Sequence, residues 1–238
     1  MTRTVPMIWL LIVASLAAGF AAGDPSGTDI LRRVEQQVAG VKDYTVTLDV
    51  VAAIEHLKVP PMHATLYYKQ PDKVHIASKG FAMLPRESMG MQFSKLNERY
   101  AVDSVVTDRT ASPAIHRLVM RPRDERSSVR RILVFVHGER WTPERIEIPQ
   151  PGGAMMKAAF VYQHVQGFWL PSQLTVTFAT GTTDSAAAVP ANPFGGGPGA
   201  RTAARGAGRS GTITVQYSDY RVNTGLGDEV FVETGEPK

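Results

Sequence analysis

Apolar and polar residues alternate in one segment after another beyond residue 43, and this alternation restricts the folds open to the chain. In residues 44–50, apolar side chains occupy every even position and polar ones lie between them. A period of two is typical of a β-strand with one buried face. The same reasoning predicts strands at residues 65–69, 74–79, 100–106, 115–121, 131–137, 143–148, 158–165, 174–179 and 212–217, with a short final strand ending at Phe231. So many strands indicate a meander of antiparallel hairpins.

A single amphipathic helix is predicted before the strands. Its apolar residues recur mostly at three- and four-residue steps, which is the period of a helix with one buried face. Ser26 or Thr28 is placed to cap its start and Gly40 to end it. The apolar positions are Ile30, Leu31, Val34, Val38 and Val41.

The first 23 residues have the order of a secretory signal peptide. Arg3 is followed by an apolar run over residues 7–20 and then by small residues at 21–23. The run is shorter than the roughly 20 residues that span a bilayer. We therefore expect cleavage near residues 21–23 and a periplasmic protein, with an uncleaved membrane anchor as the alternative.

The absence of cysteine and the distribution of charge exclude several kinds of site and partner. The chain has no cysteine, which excludes disulfides, thiolate metal sites and the acylated cysteine of a bacterial lipoprotein. Its formal net charge is +4, but Arg3 lies in the signal segment and Arg201, Arg205 and Arg209 lie in a Gly/Ala-rich stretch. The rest is close to neutral, so we expect no nucleic-acid partner.

Residues 24–238 are predicted to form a single domain. Residues 182–211 consist mainly of Ala, Gly, Pro, Ser, Thr and Arg, too little apolar surface to offset the entropy of ordering. We predict a disordered insertion there. Because strand-like segments flank it, the insertion is interpreted as an enlarged hairpin loop and not as a linker between domains.

Catalytic motifs are missing from the sequence. The six histidines lack the spacing of a zinc pair, and no Gly-x-Ser-x-Gly motif occurs. Gly195–Gly199 lacks the Lys-Ser/Thr of a phosphate-binding loop. The prediction is that the protein is not an enzyme and has no metal or cofactor.

The segment 80–93 departs from the alternation and is crowded with large apolar residues. Methionine suits surfaces that must accept variable apolar shapes. One interpretation is a mobile flap over an apolar cavity, and the other is ordinary core packing. The residues that would form the flap are Phe81, Met83, Met89, Met91 and Phe93.

The order of these elements resembles the LolA/LolB-like outer-membrane lipoprotein carriers. The segment 66–76 contains a "strand, Lys-x-Pro-Asp, strand" motif, and residues 141–148 with 160–171 resemble the family's repeated hairpin. Residues 217–225 resemble its last strands. One departure is Gln70, where the dedicated carriers have an arginine that ties the lid shut.

The resemblance implies an α+β fold that is mainly antiparallel β, an unclosed half β-barrel with an N-terminal helix and a helical or loop lid. Alternation supplies the candidates for its apolar inner face, although it does not decide which face of each strand points inward. These candidates are Val46, Leu48, Val50, Leu66, Val74, Ile76, Val134, Val136 and Phe160.

The function that follows is a periplasmic carrier of lipoprotein acyl chains or another lipid, for lipoprotein sorting to the outer membrane. An inner- or outer-membrane protein is a further possible partner. The alternative is an envelope sensor or interaction module similar to MucB/RseB, in which the segment 80–93 or the insertion docks a membrane partner.

Overall fold

The computed structural model describes residues 24–78, 96–127, 129–150, 153–179 and 210–232. Two α-helices, eleven strands and a 3-10 helix lie within these residues. The helices are α1 (Gly27–Val38) and α2 (Leu96–Arg99), and the 3-10 helix is Asp228–Phe231. The strands are β1 (Asp43–Ile54), β2 (Leu57–Lys58), β3 (Met62–Lys69), β4 (Lys73–Ala77), β5 (Tyr100–Asp108), β6 (Ile115–Pro122), β7 (Ile132–His137), β8 (Pro143–Pro149), β9 (Met155–Val165), β10 (Phe168–Ala179) and β11 (Ser210–Val222).

All the strands belong to one antiparallel sheet with the order β4-β3-β1-β11-β10-β9-β8-β7-β6-β5, and β2 pairs with the end of β1. Among the described residues, no pairing joins β4 to β5. The sheet is therefore unclosed, as predicted. Most neighbours in the order are also neighbours along the chain, which is the meander that the alternation indicated.

The first and last strands are joined by a buried carboxylate. The Asp43 side chain, 5% exposed, accepts hydrogen bonds from the backbone N–H groups of Thr224 at 2.8 Å and Gly225 at 3.1 Å. The Asn223 side-chain oxygen accepts one from the Lys42 N–H at 2.7 Å. These bonds fix β1 beside β11, the pairing that brings the two ends of the meander together.

Helix α1 begins where the sequence predicts. Ser26 caps it by accepting a hydrogen bond from the Asp29 N–H at 3.1 Å. Ile30, Leu31 and Val34 form its buried face. The helix ends at Val38, and Gly40 serves another purpose, since a Cβ there would lie 2.9 Å from the Phe168 ring.

Three local predictions were wrong. The predicted final strand near Phe231 is a 3-10 helix, Asp228–Phe231, because Lys69 and Lys73 bind Asp228 at 2.7 and 2.9 Å and hold this segment against β3 and β4. The strand predicted at residues 174–179 starts earlier, since the turn before it is confined to Gln166 and Gly167 and β10 begins at Phe168. Strand β11 begins at Ser210, two residues inside the predicted insertion.

Candidate ligand-binding site

The inner-face candidates occupy one side of the sheet. Residues paired directly across antiparallel strands point to the same side, and so do residues two apart along a strand. The register gives three rows: Ile76–Leu66–Val46, Val50–Val215–Leu174–Phe160 and Ala158–Ile146–Val134–Leu118. Leu48, Val74 and Val136 lie two residues from members of these rows. The nine candidates therefore share a face, and all but the half-buried Val74 are buried.

The opposite face of the same strands is in water. Val51 and Val161 are each 55% exposed, although each follows a buried residue directly in sequence. This contrast decides what alternation alone left open, namely which face of each strand points inward.

Helix α1 packs on the inner face. Ile30, Leu31 and Val34 belong to the same core cluster as the inner-face residues. The helix lies so close to β5 that a Cβ on Gly27 would come within 2.4 Å of the Val102 side chain. Its C-terminal end approaches β10 at Gly40 and Phe168. The inner face thus has a helical cover that reaches from β5 to β10.

A cavity of about 430 Å³ opens beside the C-terminal half of α1. This volume lies within the range of small-molecule sites, about 300–1,000 Å³. We call it the mouth cavity. Its lining residues come from α1, α2, β1, β3, β10 and the loops beside them: Glu35, Val38, Ala39, Val41, Tyr44, Tyr68, Gln70, Asn97, Glu98 and Leu170.

The aromatic wall of the mouth cavity continues the inner face. Tyr44 and Tyr68 are paired across β1 and β3, and their rings stack at a centroid distance of 5.0 Å. Each lies two residues from an inner-face residue, Val46 and Leu66 respectively. The cavity is therefore a polar-rimmed end of the apolar face and not a separate depression.

The rim of the mouth cavity is acidic. Burial raises the pKa of the Glu35 carboxyl, and the nearby charge of Glu98 raises it further. Gln70 donates a hydrogen bond from its side-chain nitrogen to the Ala39 carbonyl at 3.2 Å. This bond ties the end of β3 to the end of α1, the place where the dedicated carriers have an arginine.

Three further tyrosines lie behind the wall. The hydroxyl of Tyr220 donates to the Pro171 carbonyl at 2.9 Å and that of Tyr162 to the Pro143 carbonyl at 2.6 Å. Burial raises the pKa of the Tyr217 hydroxyl, and also those of Tyr162 and Tyr220, well above 10. All three stay neutral at physiological pH, and the hydroxyls of Tyr162 and Tyr220 act as structural hydrogen-bond donors.

A buried histidine belongs to a stack of side chains that contacts Arg33 of α1. His116, 5% exposed, stacks on Trp141 at a centroid distance of 5.2 Å, and the Arg33 guanidinium of α1 lies 4.4 Å from the centre of that indole. Burial lowers the pKa of His116; the charge of Asp24 opposes this effect, and the charges of Arg33 and Arg109 add to it. The imidazole is thus neutral at pH 7.

A second buried histidine lies at the β7–β8 turn. His137 accepts hydrogen bonds at Nδ1 from the backbone N–H groups of Glu139 and Arg140, at 3.2 and 3.1 Å. Burial lowers its pKa as well, and the neighbouring Arg140 adds to the effect. These bonds order the turn between β7 and β8.

The predicted flap residues Phe81, Met83, Met89, Met91 and Phe93 lie outside the described residues, as does the segment predicted to be a signal peptide. Where the structure describes the chain, no group of His, Asp and Glu side chains is arranged to hold a metal ion. None of the described helices has the length and hydropathy to span a membrane.

None of the nine inner-face candidates, which the structure describes, lines the mouth cavity itself. Tyr44 could have been added, since it belongs to the first alternating segment. Glu35 and Glu98 could not, because 63 positions separate them in the sequence and neither belongs to a motif.

Together, the unclosed antiparallel sheet, the N-terminal helix on its inner face and the polar-rimmed mouth define a LolA-like fold. The solved structure of a putative outer membrane lipoprotein-sorting protein domain from Vibrio parahaemolyticus matches with a TM-score of 0.56 at 13% identity, over 84% of this chain and 95% of that one. The solved structure of a LolA superfamily protein from Nitrosomonas europaea matches with a TM-score of 0.50 at 9% identity, over 88% of this chain and 98% of that one.

A DUF1329 family protein from Desulfovibrio piger matches with a TM-score of 0.54 at 13% identity, over 87% of this chain and 95% of that one. No protein-family model and no curated protein matches the sequence. At these identities the likeness concerns the fold, which agrees with the fold that the sequence predicted.

Proposed function

We propose that the protein is a periplasmic, non-enzymatic carrier that binds lipoprotein acyl chains or another lipid at the mouth cavity and along the inner face of the half-barrel, for lipoprotein sorting to the outer membrane. The observation that carries the proposal is the continuity of the cavity with an apolar face in an unclosed sheet. Each methylene moved from water into such surroundings gains about 0.8 kcal/mol. An acyl chain therefore needs no covalent or charged anchor to bind.

The fold adds support of a general kind. One of the matching structures is described as an outer membrane lipoprotein-sorting domain and another as a LolA superfamily protein. The predicted signal peptide would deliver the chain to the compartment in which such a carrier works. No described contact favours the sensor alternative over the carrier.

The test is photo-crosslinking with a fatty acid that carries a diazirine on its chain. We expect labels on the cavity-lining residues Val38, Tyr44 and Leu170, as read by mass spectrometry of peptides. Val51 and Val161 are the controls, because both are β-branched residues exposed on the outer face, Val51 on β1 and Val161 on β9 beside β10. Labelling confined to the outer face, or no uptake of the fatty acid, would contradict the proposal.

A second arm separates the carrier from the sensor. The full-length protein, purified after export, should carry co-purifying lipid that is extractable with organic solvent. Isolation of a stoichiometric membrane protein with no lipid would instead favour the sensor.

A further inference from the structure

The two ends of α1 are attached to the sheet by different chemistry. At the C-terminal end, the Gln70 side-chain nitrogen donates a hydrogen bond to the Ala39 carbonyl at 3.2 Å. The Asn223 side-chain nitrogen donates another to the Gly40 carbonyl at 3.0 Å. Amide side chains and backbone carbonyls do not titrate near neutral pH, so this attachment does not depend on pH.

The N-terminal half of α1 is held by a stack of three side chains that includes a histidine. The Arg33 guanidinium lies 4.4 Å from the centre of the Trp141 indole. The His116 ring lies 5.2 Å from the same indole, with 8° between the planes. His116 belongs to β6 and Trp141 to the connection between β7 and β8, so the stack joins the helix to the sheet. We call these three side chains the latch.

The charged groups around His116 disfavour its protonation. Among the described residues, the charged groups that act on it are Asp24, Arg33 and Arg109. Asp24 already accepts a hydrogen bond from the Arg109 guanidinium at 2.6 Å. Burial lowers the pKa of His116, Asp24 opposes this effect, and the two arginines add to it. A protonated His116 would be a third cation in this group.

The uncharged neighbours of the ring supply no negative charge. Thr107 Oγ1 lies 3.0 Å from His116 Nδ1, and Val136 is paired with His116 across β6 and β7. Gly138 is so close that a Cβ there would lie 3.4 Å from His116 Nε2. A proton added to this ring is therefore enclosed by described neighbours of which only Asp24 carries a negative charge.

Release of the N-terminal half of α1 removes this penalty. His116 then gains water, and Arg33 moves away with the helix. A group whose pKa is lower in the attached state than in the released state takes up a proton on release, so release becomes more favourable as the pH falls. Histidine is the side chain whose ordinary pKa places this change between pH 5 and 8.

We infer that the latch is a pH-dependent switch, in which protonation of His116 frees the N-terminal half of α1 and opens the inner face for exchange of an acyl chain. The C-terminal end of α1 stays attached beside the mouth cavity, so the helix pivots there and does not dissociate. This inference rests on the proposed function for the identity of the ligand. It adds a regulation of the inner face that the proposed function does not contain.

The first experiment measures hydrogen exchange of backbone amides in the full-length protein purified after export, at pH 7.5 and 5.5, with rates corrected for the intrinsic effect of pH. We expect exchange of the α1 amides at residues 31–38 to increase several-fold at pH 5.5. About tenfold is the limit between these pH values for a released histidine with a pKa of about 6.5. The amides of β1 and β11 are the internal reference and should not change. An equal increase in α1 and in these strands would overturn the latch, because it would report loosening of the whole fold.

Substitutions then assign the effect to the latch. His116→Gln cannot take up a proton and should abolish the pH dependence of α1 exchange. Arg33→Gln removes the guanidinium from the indole and should raise α1 exchange at pH 7.5 about two- to fivefold, the equivalent of one cation–π contact. Arg32→Gln is the matched control on the same helix and should leave exchange unchanged, because the Arg32 side chain is 59% exposed and pairs with Asp29.

A second experiment connects the latch to the ligand. The probe is a pyrene-labelled dodecanol, which carries no charge at either pH. Stopped-flow mixing of the loaded protein with excess dodecanol measures the rate at which the probe is released. We expect release from the unaltered protein to be several-fold faster at pH 5.5 than at pH 7.5, and release from the His116→Gln variant to be equal at both.

The outcomes separate the latch from the carrier. Exchange of α1 amides that does not depend on pH, in a protein that binds the probe, would overturn the latch and leave the carrier intact. Exchange that depends on pH, with a constant rate of probe release, would overturn the role of the latch in ligand exchange. A protein that binds no probe at either pH would overturn the carrier, and α1 exchange would still decide whether His116 frees the helix. The pH series on the unaltered protein decides these questions even where a variant does not fold.

Discussion

The centre of the inner face and the mouth cavity are adjacent parts of one surface with opposite chemistry. At the centre, Leu66 and Val134 are completely buried in the apolar core. At the mouth, two residues further along β3, Tyr68 faces a cavity shared with Glu35 and Glu98. The comparison indicates a division between an apolar centre that stabilises the fold and a polar-rimmed mouth that is open to the surroundings.

The largest expected effect tests the role of the centre. Leu66→Ala removes a side chain that is 0% exposed, and the lost burial and remaining cavity should lower the free energy of unfolding by about 2–5 kcal/mol. Leu57→Ala is the control, because Leu57 is 39% exposed on β2, and its effect should stay within about 0.5 kcal/mol. Urea unfolding measures both. Equal losses in the two variants would contradict the division.

An intermediate effect is expected at the mouth. Gln70→Arg introduces the residue that the dedicated carriers have at this position and places a cation beside two carboxylates. We expect the pKa of the Glu35 carboxyl, which burial and Glu98 raise, to become lower in this variant, because a neighbouring positive charge favours the ionised form. An NMR titration of the Glu35 carboxyl measures this. Gln36→Arg adds the same charge to an exposed position of α1 outside the cavity. If both variants lower the pKa of Glu35 equally, the effect belongs to net charge and not to the mouth.

The smallest effect concerns the histidine that anchors α1 over the centre. Because the pKa of His116 is lowered in the folded protein, the unfolded chain takes up the proton first as pH falls. The contribution of His116 to the free energy of unfolding should be fully present above about pH 6.5, the ordinary histidine pKa. Below that pH the contribution should decrease. Each pKa unit by which folding lowers the pKa of His116 corresponds to about 1.4 kcal/mol of free energy of unfolding.

Urea midpoints at pH 7.5 and 5.5 measure this dependence. His116→Gln should lose less stability between the two values than the unaltered protein, with His137 accounting for part of what remains, since its pKa is also lowered. His164→Gln, an exposed position on β9, is the control and should keep the original dependence. A His116→Gln variant with the full pH dependence would contradict the assignment to His116.

Much of the fold follows from local patterns. Alternation placed the strands, and the apolar residues of the helix, with Ser26 as its cap, placed α1, because both periods are set by backbone geometry within a few residues. The patterns failed where a distant contact decides the local structure. Lysines of β3 and β4 hold Asp228–Phe231 as a 3-10 helix, and β-pairing extends β10 back to Phe168.

The sequence by itself determined that this chain is a meander of half-buried strands with one covering helix, and which residues form its apolar rows. Only the tertiary structure decided which face of each strand points inward and that an acidic cavity ends that face. Alternation is symmetric between the two sides of a strand, so it carries no information about which side the helix covers. Glu35, Tyr68 and Glu98 are far apart in the sequence and line one cavity because the tertiary structure places α1, β3 and α2 beside one another.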